Sequence, residues 1–127
     1  MGQFEYETIH GQVISKANNY MPVADTTFGR RIIKTQRLRD YEKSFADQCA
    51  IYKGRNISRP FIFHATFYET TNSYDLDNGV KTVLDCLQYV NAISDDNLCV
   101  ELHVRKVVDP QYPRIVYGIE ELEPTLF

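Results

Sequence analysis

The stretch from Ser73 to Asp85, "SYDLDNGVKTVLD", sets Asp75 and Asp77 on either side of Leu76, with Asn78 next and Lys81 four positions after the second aspartate. A second acidic pair, Asp95-Asp96, closes a window of 22 residues. A calcium loop is excluded. Counted from Asp75, the position that needs glycine is Val80 and the one that needs a bidentate glutamate is Cys86. The ordinary reading is a helix start, where aspartates cap and gain about 0.3–1 kcal/mol each from the helix dipole. Asp77 with Lys81, and Lys81 with Asp85, also have the spacing of helical ion pairs. One cap uses one aspartate, however, and two carboxylates held together repel unless a cation lies between them. Three converging carboxylates with room for water suit Mg²⁺, and such an ion activates water and neutralises charge on a phosphodiester. Lys81 would offer an ammonium to the same phosphate. The pattern therefore points to metal-assisted phosphoryl chemistry.

These residues need elements to position them. Val80, Val83, Leu84, Leu87 and Val90 form a helical stripe over residues 77–90 that carries Lys81 on its first turns. The strand "CVELHVRKVV" follows Asp95-Asp96, so the helix-to-strand connection is expected to fold back and bring the second pair beside the first. Gly79, inside the first turn, costs about 1 kcal/mol relative to alanine, which close approach of DNA or a partner would explain. Upstream, "FEYETI", Gly11 and "QVIS" read as a strand broken at the glycine by a bulge, and "RPFIFHATFYE" as a strand well inside the sheet. Leu38, Tyr41, Phe45, Cys49 and Tyr52 predict a helix over residues 35–53, ended by Gly54. Residues 16–29, "KANNYMPVADTTFG", have no period and read as a long loop. "RIVYGIE" supplies a last strand. The order β-α-β-α-β-β predicts an α+β domain, two helices on a mixed or mostly antiparallel sheet.

At 127 residues, with 43% apolar composition including nine Tyr and seven Phe, the chain is expected to be a single domain, residues 1–127, able to bury a core unaided. Cys49, Cys86 and Cys99 lack the spacing of a zinc site and suit a reducing cytoplasm. No signal peptide or membrane-length apolar run is evident, so a soluble cytoplasmic protein is expected. The net charge is −3, but it is polarised: "RRIIKTQRLRDYEK" holds six basic and two acidic residues, and the tail of about residues 119–127 holds three glutamates.

"DLDNGVKTVLDCL", followed after "QYVNAI" by "SDDNLCVELHVRK", closely resembles the RusA family of Holliday junction resolvases. "GQVISKANNY" is similar to that family's opening strand and loop, and "RRIIKTQRLRDYEKSF" to its basic loop and first helix. The resemblance covers nearly the whole chain, with residues 75–96 its specific part. It implies a magnesium-dependent, homodimeric endodeoxyribonuclease that nicks four-way junctions symmetrically in DNA recombination, repair or phage DNA processing. Mn²⁺ is an alternative ion. By residue, the resemblance puts Asp75, Asp77 and Asp96 on the metal and Lys81 in the catalytic role, with Asp95 the lesser member of its pair and Asp85 orienting Lys81.

On such a nuclease Arg30, Arg31, Lys34 and Arg37 become phosphate contacts, although the same bases would serve as the wet face of a helix. Lys16, Asn18 and Asn19 are further candidates for DNA contact, and Tyr20 and Phe28 for stacking on unpaired bases. His10, His64 and His103 read as sheet residues with local partners, since magnesium disfavours imidazole. The expected partners are branched DNA and a second copy of the chain, because a two-fold junction needs two nicks. The rival expectation is a protein that binds branched DNA without cutting it.

Overall fold

The computed structural model describes residues 3–15, 20–25 and 29–123. Its main sheet has the strands β1 (Tyr6–His10), β4 (Phe61–Glu69), β5 (Cys99–Val108) and β6 (Arg114–Glu121), in the order β1-β6-β4-β5. β6 runs antiparallel to both β1 and β4, whereas β4 and β5 are parallel. Parallel neighbours need a crossover, and α2 (Leu76–Tyr89) provides it between β4 and β5. The architecture is α+β, with α1 (Gln36–Gln48) and α2 on a mixed sheet.

The helices cover one face. Leu38, Tyr41 and Phe45 of α1 and Val80, Val83 and Leu87 of α2 are buried with Phe61, Phe63 and Phe67 of β4 and Ile115, Tyr117 and Ile119 of β6. Alternation along β4 explains the arrangement, since every second side chain enters this core. The chain "RPFIFHATFYE" is accordingly an interior strand. His10, His64 and His103 all lie in strands, and His64 pairs with Glu120 at 2.8 Å.

Two expectations are corrected. Residues 16–29 contain no single long loop: β2 (Tyr20–Asp25) and β3 (Gly29–Lys34) form an antiparallel ribbon separate from the main sheet. A two-stranded ribbon has only edges, so Pro22 is tolerated. The order is thus β-β-β-α-β-α-β-β. The first helix also stops at Gln48, with Cys49 as its C-cap, five residues short of Lys53. Glu7 explains the early stop. Its buried carboxylate accepts the N–H groups of Ala50 and Ile51 at 2.6 and 2.7 Å and the Tyr117 hydroxyl at 2.5 Å, turning the chain toward β1. Cys49 and Tyr52 keep helical spacing and burial without being helical.

The acidic tail begins inside a strand, since Ile119, Glu120 and Glu121 belong to β6; residues 124–127 lie outside the described residues. No helix among the described residues is long and apolar enough to cross a membrane.

Candidate active site

Asp75 occupies the N-cap of α2 with extended backbone, yet its carboxylate makes no capping hydrogen bond. Its side-chain contact is instead with Asn78, whose Nδ2 donates to Oδ2 at 3.3 Å. Asp77 follows in the first turn, exposed, at the positive end of the helix dipole. Lys81 is exposed one turn later, and no ion pair among the described residues includes it. No ion pair of Lys81 with Asp77 or Asp85 is formed among the described residues. Asp75, held only by the Asn78 amide, Asp77 and Lys81 thus stand at one helix end without an ion pair among the described residues.

That end is rigidly seated. A Cβ on Gly79 would lie 3.0 Å from the Phe67 ring, so glycine lets α2 press onto β4. The close neighbour is the protein's own strand rather than DNA or a partner. Lys106 of β5 donates from Nζ to the carbonyls of Asn72 and Tyr74 at 3.1 and 2.7 Å, clamping the loop that delivers Asp75. The Thr82 hydroxyl donates to the Ile14 carbonyl at 2.8 Å, and Gln12 Oε1 accepts the Thr70 N–H at 2.8 Å. These bonds fix residues 12–15 against the same loop and helix. Between them opens a cleft of about 300 Å³ lined by Ser15, Arg37, Ser73, Tyr74, Asp75 and Asn78. Arg37 thus faces Asp75 across a space open to a phosphate.

Beneath the clamp, Glu69 is 1% exposed and its Oε2 has no hydrogen-bond partner. Burial raises its carboxyl above the usual range, against the opposing pull of Lys106 and Gln12. Sequence reasoning missed Gln12, Glu69, Thr82 and Lys106. Only Lys106 carried a signal, as the last residue of the "CVELHVRK" segment.

Asp95 and Asp96 lie elsewhere. Asp95 caps a short 3-10 turn, Asp96–Leu98, accepting the Asn97 N–H at 2.8 Å. Asp96 makes no such cap, and its N–H donates to Gln88 Oε1 at 3.1 Å, in the last turn of α2. Asp75 and Gln88 stand at opposite ends of that helix, roughly 20 Å apart at 1.5 Å per residue. The expected folding back of Asp96 beside Asp75 and Asp77 within one chain does not occur. Among the described residues no group of three or more His, Cys, Asp or Glu side chains could hold a metal ion. The described residues of one chain therefore do not bring three carboxylates together for Mg²⁺.

The basic residues divide. Lys34 is bound to Glu42 at 2.8 Å, the helix-face behaviour weighed above. Arg30 and Arg31 lie in β3 opposite Ala24 and Val23, and Tyr20 opens β2. Lys16, Asn18, Asn19 and Phe28 lie outside the described residues.

No curated protein matches the sequence. A family model described as "Endodeoxyribonuclease RusA" matches residues 10–120, a span running from the end of β1 through nearly all of β6 and including Asp75, Asp77, Asp95 and Asp96. The chain belongs to the RusA family of endodeoxyribonucleases.

Proposed function

We propose that this chain is a structure-specific endodeoxyribonuclease that resolves Holliday junctions by paired nicks, working as a cytoplasmic homodimer with Mg²⁺. The observation that carries the reading is the uncommitted set Asp75, Asp77 and Lys81 at a firmly seated helix N-terminus, beside a cleft that also exposes Arg37. Arg37 and the positive end of α2 hold a scissile phosphate at the cleft. Asp75 and Asp77 would hold the ion, and Asp96 would complete the set only from a second copy, because within one chain it lies beside Gln88 at the far end of α2. The ion, when bound, lowers the pKa of water and neutralises phosphate charge. Lys81 adds an ammonium that meets the charge developing on the phosphate as the bond breaks. Arg30 and Arg31, on the ribbon, contact backbone phosphates and set orientation rather than sequence.

A second reading, a protein that binds branched DNA without cutting, draws support from the separation of Asp96 from the other two aspartates within one chain. Incubating the protein with a mobile four-way junction, with and without Mg²⁺, separates the two. Symmetric, Mg²⁺-dependent nicks support the nuclease, and binding without nicks at any Mg²⁺ concentration supports the alternative.

A further inference from the structure

We propose that Glu69 is a positioning residue of the nuclease site: from within the core it holds Gln12 and Lys106, the two side chains that tie down the loop leading to Asp75. The inference rests on the nuclease reading and concerns how Asp75 is kept in place.

The loop, residues 70–74, reads Thr-Thr-Asn-Ser-Tyr and is exposed at Thr71, Asn72 and Ser73. So polar a segment buries little of its own, and its order must come from bonds to the rest of the chain. Gln12 supplies one at the start, where its Oε1 accepts the Thr70 N–H. Lys106 supplies two more further along, at the carbonyls of Asn72 and Tyr74.

Glu69 lies behind both. Phe61, Phe63, Ala65 and Phe67 are the core side of β4, and the alternation carries on to Glu69. A carboxylate at such a position persists only where neighbours offset its lost hydration. Lys106 is one of them. It lies opposite Phe67 in the parallel register, so its side chain leaves β5 on the same face. Burial raises the Glu69 carboxyl, whereas the Lys106 ammonium and the Gln12 amide, hydrogen-bonded to it, pull it back. The Glu69 carbonyl accepts the Asp109 N–H at 2.8 Å, which fixes the end of the strand.

The way the charges are used favours positioning over a plain ion pair. Lys106 spends two of its three N–H donors on the loop carbonyls. No ion pair joins it to Glu69 among the described residues, and Oε2 of Glu69 keeps no hydrogen-bond partner. Direct contact would draw Nζ away from the loop. A counter-charge set slightly back holds the ammonium under the loop and leaves its donors to the carbonyls.

Amide exchange over residues 70–75, measured on metal-free protein, reads the loop without any cutting. Lys106→Met should speed that exchange while β4 and the body of α2 keep theirs. It should also raise the Mg²⁺ concentration for half-maximal cleavage by about tenfold or more, the usual effect of losing a group that orients a metal ligand. Junction affinity without Mg²⁺ should stay unchanged. Lys106→Arg, which still offers paired donors, should restore much of both properties. Glu69→Gln should act in the same direction, and combined with Lys106→Met it should add less than its separate effect, because the two residues share one task. Wild-type exchange and Mg²⁺ dependence in Lys106→Met and Glu69→Gln would overturn the proposal, as would strictly additive effects. Should Lys106→Met fail to fold, Lys106→Arg and Glu69→Gln decide by the same measurements. If wild type itself does not cut, the nuclease reading falls, while faster exchange in Glu69→Gln leaves the hold on the loop standing.

Discussion

Asp75, Asp77 and Lys81 differ from ordinary helix-start residues in what they leave undone. The cap position is filled without a capping bond, and Lys81 is exposed without an ion pair among the described residues. An exposed helical pair contributes only about 0.3–0.5 kcal/mol, so even a transient contact would give Lys81 little structural weight. Lys81→Ala is expected to fold and bind junctions normally while single-turnover cleavage falls by roughly 10²-fold or more, a loss typical of a donor that acts in the transition state. Measuring that rate at saturating protein beside the thermal midpoint decides the matter, since near-normal cutting with lowered stability would return Lys81 to a structural role. Asp77→Asn should abolish cleavage yet leave junction affinity equal or tighter, because removing one carboxylate relieves repulsion of phosphate. Equal cutting by variant and wild type at saturating Mg²⁺ would remove Asp77 from the site.

At the scale of elements, periodicity made α2, β4 and β6 legible, because each has a face set by the core. What it could not show was the β2–β3 ribbon, whose sequence has no regular alternation, or the true end of α1. That end is decided by Glu7, 43 positions before the Ala50 N–H it binds, whose contacts no local pattern announces. Likewise the spacing from Asp77 to Asp96 looked like proximity, whereas α2 converts most of it into length. Glu7 provides a test at this scale. Burial alone would raise its carboxyl, but bonds from Tyr117, Ile51, Ala50 and Cys49 outweigh that effect and leave it below the usual range. A depressed folded-state value contributes stability at pH values above the unfolded carboxylate range, which is lost as pH falls through the folded value. Glu7→Gln should therefore lower the thermal midpoint at pH 7, by an amount corresponding to about 1.5–3 kcal/mol for a charged hydrogen-bond acceptor. The gap to wild type should narrow on acidification. A gap that stays constant from pH 7 to pH 3 would mean that Glu7 acts through packing and not through its charge.

Taken as a whole, the molecule must bind a polyanion with a net charge of −3, which requires its cations to be gathered where DNA lies. The six bases between Arg30 and Lys43 are the obvious supply, and the structure divides them by use. Lys34 is neutralised by Glu42 and Lys43 pairs with Asp47, while Arg37 opens onto the cleft beside Asp75. Arg30 and Arg31 belong to a ribbon that pairs with no described strand of the main sheet. Non-specific phosphate contacts release counterions, and each contact steepens the fall of log affinity with log salt by about 0.9. Replacing Arg30, Arg31 and Arg37 together with alanine should weaken binding to branched DNA of any sequence and flatten the salt slope by up to about 2.7. Lys34→Ala, which frees Glu42 as it removes a base already spoken for, should change the slope by much less than one such contact. Titrating a four-way junction at several salt concentrations reads both. An unchanged slope in the triple variant would mean that these arginines are solvated surface and that DNA is held by some other part of the molecule.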